Sequence, residues 1–154
     1  DGVIDALVAY KPPPAFLDGA PDVGRLFTDY AALEADYARR TGIFPIMHVL
    51  GVRRSLAEAH PWLPGALLKA FSEAKAMATA ALADTSATKV TMPFVEDVLA
   101  MTGQMGGDLW SYGVADNRAT LDYFLQHPHA QGLSLRRLTV DELFHPATVE
   151  SYAL

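Results

Sequence analysis

The chain has 154 residues, a length that fits one ordinary domain or part of a larger one. Apolar residues make up 51% of it and charged residues 19%, so the composition excludes a disordered or low-complexity protein. Twelve basic residues against eighteen acidic ones give a net charge of −6, which argues against nucleic acid as a partner and against a polybasic membrane-binding surface.

The sequence contains no cysteine, which excludes disulfide bonds, thiol catalysis and zinc sites built from thiolates. No apolar run approaches the roughly 20 residues that a membrane span needs, so we expect no membrane partner. The chain starts on Asp1 without an initiator Met, and it lacks the basic and apolar regions of a signal peptide. The start at Asp1, directly before a strand-like apolar run, predicts a processed product or a fragment of a longer protein.

Two apolar runs predict β-strands. Residues 3–9 are nearly continuously apolar, and Pro12, Pro13 and Pro14 then predict a stiff, extended connector. Residues 43–52 are apolar on both alternating faces, which is typical of a strand covered on both sides in a largely parallel sheet. Because two strands cannot form a stable sheet alone, we expect a partner subunit or an absent N-terminal half to complete the core.

Six stretches predict helices from periodicity or capping signals. In the longest, apolar residues recur at steps of three and four from Leu63 to Leu82, while Lys69, Glu73 and Lys75 fall outside this stripe. Two helices are predicted at residues 29–40 and at residues 93–102, the latter closed by Gly103. Two more begin at the capping boxes Ser55–Glu58 and Thr139–Glu142. The last is capped by Asp116, buries Leu121, Phe124 and Leu125, and has Pro128 and Gly132 near its end.

Several site classes lack their motifs. No glycine-rich loop stands between a strand and a helix start, and neither G-x-S-x-G nor H-E-x-x-H occurs. His127 and His129 lie two residues apart, so a helix directs them away from each other and they cannot share a metal ion. The sequence therefore predicts no cofactor and no local metal site, and it leaves the metal dependence of any reaction unknown.

His48 is the strongest candidate for a catalytic residue. It is an ionisable group inside the apolar strand 43–52, where desolvation would lower its pKa. One interpretation is a core histidine that bonds to a backbone carbonyl. The other is an acid or donor that faces a ligand at the end of a strand, where open α/β sheets place their ligands.

Five further residues are candidates for ligand binding. Arg53 and Arg54 directly follow the second strand, and Lys11 follows the first, so each could hold a carboxylate. The alternative is a solvated strand end or ion pairs with Glu58 for the two arginines, and a surface position for Lys11. If the strand continues, Arg53 and Arg54 point to opposite faces, and at most one reaches the ligand. Trp110 and Tyr112 could stack on a flat ligand, or they could cap a core beside glycine turns.

Several stretches resemble the 4,5-dihydroxyphthalate decarboxylase family, over nearly the whole chain. Thr41–Arg54, with the sequence TGIFPIMHVLGVRR, and His60–Pro64, with HPWLP, carry the clearest resemblance. The others are Leu67–Lys75, Tyr112–Arg118, Gln131–Ser134, Glu142–Pro146 and the region near Ser151.

The resemblance implies the C-terminal half of a longer protein with an α/β fold similar to type II periplasmic solute-binding proteins. The chain is then the helix-rich C-terminal part of a two-lobed fold, with few strands. Residues 1–14 would end the second lobe and cross the hinge, and residues 15–154 would form the C-terminal portion of the first lobe with a helical tail. The ligand would lie between the lobes.

The resemblance also implies a cytoplasmic carboxy-lyase of phthalate breakdown. Such an enzyme converts 4,5-dihydroxyphthalate, or a related dihydroxy aromatic acid, to 3,4-dihydroxybenzoate and carbon dioxide. On this basis His48 is the candidate proton donor, while Lys11 and Arg53 or Arg54 are candidates for carboxylate binding. Solute-binding relatives share this architecture without chemistry, so a binding module for a small aromatic or other organic acid remains the alternative.

Overall fold

The structure is a computed structural model that describes residues 4–86, 89–90, 93–104, 108 and 110–149. The chain divides into two compact units, Asp1–Glu34 and Ala35–Leu154. The assignment of residues 1–14 and 15–154 to two lobes stays a prediction.

Across the described ranges, all regular secondary structure is helical. Each of the six predicted helices is present, although several ends differ. The elements are α1 (Pro14–Leu17), α2 (Tyr30–Thr41), α3 (Arg54–Ala59), α4 (Leu63–Ala83), α5 (Val95–Gln104), α6 (Arg118–Ala130), α7 (Val140–Leu143) and a 3₁₀ turn (Pro146–Thr148).

Both predicted strands are wrong as regular elements. Residues 4–9 and 43–52 form no β-ladder with any other described segment, and residue 3 lies outside the described residues. In 43–52 the side chains of Met47, Val49 and Leu50 are exposed. A strand is stable only when a neighbour accepts its backbone hydrogen bonds and covers its faces. These 154 residues do not supply that neighbour within the part that the structure describes.

The proline run is only partly an extended connector. Pro13 is extended, with φ −69° and ψ 153°, and it precedes α1 as its N-cap. Pro14 then occupies the first turn of α1. Proline is tolerated there because its missing N–H would have no partner within the helix.

The first predicted helix is confirmed as α2. Arg40 Nε donates to the carboxylate of Asp36 at 2.7 Å, one helical turn away, and this hydrogen bond lowers the pKa of Asp36. The helix ends at Thr41, whose hydroxyl donates to the carbonyl of Tyr37, and Gly42 follows with φ 65°. Glycine adopts this left-handed conformation without the cost that a Cβ imposes.

The long helix α4 organises the larger unit. It packs against α5 and against the 3₁₀ turn, while α6 packs against α7. In the part of the chain that the structure describes, α4 buries only Pro64, and the buried apolar cluster comes from the C-terminal part: Val114, Leu121, Leu125 and Val140. Leu138, Phe144 and Val149 pack around these four.

The helix starts show how local signals compete. The capping box predicted at Ser55–Glu58 is wrong. The helix α3 begins at Arg54, and its N-cap is Arg53, two residues before Ser55, with no side-chain cap hydrogen bond. Asp116 is also not the cap of α6; Asn117 holds that position. The box at Thr139 is confirmed, since the Glu142 carboxylate accepts the Thr139 N–H at 2.8 Å.

Other corrections concern helix interiors and ends. Gly103 lies inside the last turn of α5, which continues to Gln104. Phe124 faces solvent, because α6 buries only the side of Leu121 and Leu125. Pro128 lies in the last turn of α6, where its carbonyl accepts the N–H of Leu133 at 2.7 Å.

Two ion pairs connect the C-terminal elements. Arg118, at the start of α6, donates to Asp141 of α7 at 3.0 Å. Arg136 donates to Glu142 at 2.7 Å. Together with the N–H of Thr139, which contributes most, Arg136 holds the pKa of Glu142 below its ordinary value.

Candidate functional site

His48 does not occupy the covered strand that the sequence predicts. Its side chain is exposed, and among the described residues its ring has no hydrogen-bond partner. Within the part of the chain that the structure describes, His48 therefore has neither the buried hydrogen bond of a core histidine nor the burial of a covered ligand-facing histidine. Its assignment as a catalytic residue stays a prediction.

Arg53 and Arg54 lie at a helix start and not on a continuing strand. The carbonyl of Arg53 accepts the N–H groups of Leu56 and Ala57, as an N-cap does, and Arg54 is the first residue of α3. Both side chains are exposed. Within the described residues neither side chain makes an ion pair, so the alternative of pairing with Glu58 is not realised and both guanidinium groups are available to bind an anion.

Lys11 belongs to the smaller unit and is exposed there. Its ammonium lies over the ring of its neighbour Tyr10, 5.6 Å from the ring centroid. A contact between adjacent exposed residues holds a side chain weakly. The binding of a carboxylate by Lys11 stays a prediction.

Trp110 and Tyr112 are brought together by a residue that sequence reasoning missed. Lys75, on α4, donates to the carbonyl oxygen of Trp110 at 2.6 Å and to the carboxylate of Asp108. The same ammonium lies 4.8 Å from the centroid of the Tyr112 ring, within the range of a cation–π contact. The indole of Trp110 meets Phe44 edge to face, with 6.1 Å between ring centroids.

We call Lys75, Asp108, Trp110 and Tyr112 the lysine–aromatic cluster. Lys75 is 24% exposed at its side chain, so most of this side chain is shielded from water. Trp110 is 64% exposed and Tyr112 48%, so their rings are open to a ligand. The cluster thus presents a partly desolvated cation beside two accessible aromatic rings.

The backbone beside Tyr112 is held by Asn117, the N-cap of α6. Its side-chain amide donates to the carbonyl oxygens of Ser111 at 2.8 Å and Gly113 at 2.9 Å, and to the Ser111 hydroxyl at 3.1 Å. Gly113 has φ 90°, a conformation that an L side chain rarely adopts. Asn117 and Gly113 therefore fix the chain on both sides of the Tyr112 ring.

Periodicity alone hides the role of Lys75. The spacing of apolar residues places Lys75 outside the stripe of α4, which indicates a solvated position. Its partners are 33 and 35 residues away, and no local rule predicts them. One signal was available, because Lys75 ends the stretch Leu67–Lys75 and Tyr112 begins the stretch Tyr112–Arg118, and both stretches carry the family resemblance.

A separate cavity of about 180 Å³ lies where α4 ends and α5 begins. Leu82, Val90 and Phe94 are among its lining residues, and Phe94 has the left-handed φ of 65°. None of the six predicted site residues lines this cavity. The candidate site is therefore the lysine–aromatic cluster.

The described residues provide neither a metal-binding cluster nor a helix that could cross a membrane. Within residues 4–86, 89–90, 93–104, 108 and 110–149, no three His, Asp or Glu side chains converge in a way that could hold a metal ion. No helix in the same part of the chain is both long enough and apolar enough to cross a membrane.

The comparison with curated proteins bears out the resemblance seen in the motifs. The chain is 53% identical, over an alignment of 155 residues that includes all of it, to a protein of Comamonas testosteroni named 4,5-dihydroxyphthalate decarboxylase. The chain covers 47% of that protein, so it spans about half the length of the curated relative that it matches. No family model matches the chain.

Over its whole length the chain is therefore similar to a protein named as a decarboxylase. The helix-rich structure is compatible with the helical part of the predicted fold. Lys75, Asp108, Trp110 and Tyr112 all lie in the segment that aligns with the decarboxylase of Comamonas testosteroni, since the alignment includes the whole chain.

Proposed function

We propose that the complete protein to which this sequence belongs is a non-oxidative aromatic decarboxylase. Its substrate is 4,5-dihydroxyphthalate or a related dihydroxy aromatic acid, and its products are 3,4-dihydroxybenzoate and carbon dioxide. The observation that carries the proposal is the 53% identity across the whole chain to a protein named for this activity. The enzyme is expected in the cytoplasm, where phthalate breakdown would supply its substrate.

The reaction needs an acid, a base and cations, and no organic cofactor. A base takes the proton of the hydroxyl para to the departing carboxylate, and the oxygen donates its electron pair into the ring. The ring carbon accepts a proton, the bond to the carboxylate carbon breaks, and carbon dioxide leaves as the ring becomes aromatic again. A positioned acid or base contributes roughly 10²–10⁴-fold to such a rate.

His48 is the proposed proton donor. Its ring is exposed and, among the described residues, bonded to nothing, so it is available to a substrate. Arg53 or Arg54 is proposed to hold a carboxylate of the substrate, and the absence of ion pairs at both arginines within the described residues supports this. Lys11 is proposed independently as a carboxylate-binding residue. Bidentate pairing makes arginine well suited to that task.

The other catalytic groups are proposed to come from outside these 154 residues. The relative is about twice as long as this chain, and the apolar run 43–52 has no strand partner in the described part of the chain. An N-terminal half or a second copy would supply both the missing strands and the remaining wall of the site. The 154 residues alone are therefore expected to show no turnover.

The test is chromatographic detection of 3,4-dihydroxybenzoate after incubation of the complete protein with 4,5-dihydroxyphthalate, with and without a chelator. Product formation supports the decarboxylase, and loss of product in the chelator arm reveals metal dependence. If no product forms and the compound raises the melting temperature, the protein is instead a binding module for aromatic acids. Heat-denatured protein serves as the control for spontaneous decarboxylation.

A further inference from the structure

The ammonium of Lys75 combines three features of an anion-binding group. It lies on α4, the longest described helix, so its backbone is firmly held. It donates to the Trp110 carbonyl at 2.6 Å and faces the Tyr112 ring at 4.8 Å, which fixes its direction. With a side chain only 24% exposed, it interacts with a charged partner more strongly than a fully solvated lysine would.

The two aromatic residues are held by their backbones and not by burial of their rings. The Trp110 carbonyl is bound by Lys75, and the chain around Tyr112 is bound by Asn117. Both rings nevertheless remain about half or more exposed. A ring that is fixed in place and open to solvent offers an apolar face to a flat ligand at little entropic cost.

Asp108 supplies the carboxylate that now pairs with Lys75, and it is the exposed member of the pair at 56%. A ligand carboxylate has the same charge and the same acceptor atoms, so it can take this place on the ammonium. The chain carries a net charge of −6, which disfavours an acidic ligand at most of its surface. A shielded cation beside aromatic rings is thus a favourable place for an aromatic acid.

We propose that Lys75, Trp110 and Tyr112 form a binding site for a monocyclic aromatic carboxylate, in which the ligand's carboxylate replaces Asp108 on the Lys75 ammonium. The ring of the ligand stacks on the exposed aromatic side chains. Asp108 then acts as an internal competitor that occupies the cation while the site is empty. The choice of ligand class rests on the proposed function, and the geometry of the site does not depend on it.

Two substitutions separate this role from a purely structural ion pair. In the complete protein, titration calorimetry measures the binding of phthalate and of 3,4-dihydroxybenzoate to the wild type, Lys75→Met and Asp108→Asn. Lys75→Met is expected to weaken binding by about tenfold or more, because a charge-assisted hydrogen bond is lost. Asp108→Asn is expected to tighten binding by about two- to fivefold, because the competing carboxylate is gone.

Matched controls isolate the charge and the carboxylate. Lys69→Met removes another lysine of α4, whose contact with Glu73 at 3.8 Å is exposed, and it should leave binding unchanged. Catechol has the same ring as the proposed product without a carboxylate, so Lys75→Met should weaken its binding much less than the binding of 3,4-dihydroxybenzoate. Circular dichroism confirms that each variant is folded, and Asp108→Asn, on an exposed side chain, tests the proposal even if Lys75→Met fails to fold.

The two substitutions must act in opposite directions. If both weaken binding, the pair is structural and the proposal is overturned. It is also overturned if neither changes binding, or if the wild type binds neither acid. Binding with the expected opposite shifts but without product from 4,5-dihydroxyphthalate would overturn the proposed function and keep the site. If the product forms but neither substitution changes binding, the proposed function is supported and the proposed site is overturned.

Discussion

The side-chain Nδ2 of Asn117 lies 2.8 Å from the carbonyl oxygen of Ser111 and donates a hydrogen bond to it. The same amide bonds to the carbonyl of Gly113, so one side chain holds both neighbours of Tyr112. These two hydrogen bonds, which we call the Asn117 latch, connect the start of α6 to the lysine–aromatic cluster. The order of the Tyr112 backbone therefore depends on hydrogen bonds that Asn117 donates to the residues on either side of Tyr112.

Removal of this latch should loosen the segment 111–113. We expect Asn117→Ala to destabilise the protein by about 1–3 kcal/mol, because it leaves part-buried carbonyl groups without a donor. Hydrogen exchange of the peptide that contains residues 111–117 should accelerate with it. The matched control is Asp116→Ala, an exposed neighbour, which should change stability by less than about 0.5 kcal/mol. Equal effects of the two variants would contradict the assignment of Asn117 as the latch.

The backbone at Gly113 should resist any side chain. Its φ of 90° is a conformation that L residues rarely adopt, so Gly113→Ala should cost about 1–2 kcal/mol. The control is Gly51→Ala, where φ is ordinary and no heavy atom of the described residues lies within 4 Å of the added Cβ. Chemical denaturation of both variants measures the difference. A neutral Gly113→Ala would mean that the turn relaxes freely.

The hydrogen bonds that Glu142 accepts from Thr139 and Arg136 should make the stability of the folded protein depend on pH. The pKa of Glu142 is lowered in the folded protein, so the unfolded chain binds more protons and stability rises with pH across this range. The stabilisation is complete above the unfolded value, near 4.5, and is lost as the pH falls through the lowered folded value. Melting temperatures from pH 7 to pH 3 should show Glu142→Gln less stable at neutral pH, with the difference vanishing in acid. A difference independent of pH would contradict this account.

His48→Gln tests the proposed proton donor. We expect kcat for 4,5-dihydroxyphthalate to fall by about 10²–10⁴-fold, as for loss of a general acid, while the melting temperature stays within a few degrees because the side chain is exposed. His60→Gln is the control, since His60 is also exposed and its ring contacts only Trp62 among the described rings. Loss of folding on His48→Gln would return this residue to the core of the complete protein.

The parts of the structure that sequence predicts are those that local rules determine. The α4 helix and the Thr139 box follow from spacing and capping within a few residues, and both are confirmed. The strand predicted at 43–52 depends on neighbouring strands that the described chain does not supply. Its apolar pattern predicts burial, but most of these residues are exposed in the described chain. Trp110 and Tyr112 were predicted as candidates from residue type, whereas Lys75 joins them through contacts 33 or more residues away, which no periodicity encodes.

The stripe of α6 offers a last test, because the spacing predicts three buried residues and the structure buries two. Leu121 is 8% exposed and belongs to the buried cluster, so Leu121→Ala should cost about 2–5 kcal/mol through lost contacts and a cavity. Phe124, three residues on, is 60% exposed, and Phe124→Ala should cost less than about 1 kcal/mol if that face stays in solvent. Urea denaturation of both variants in the complete protein measures the two costs. A large loss for Phe124→Ala would mean that another part of the complete protein covers this face of α6, and the predicted stripe would then be correct for the complete protein although these 154 residues leave it open.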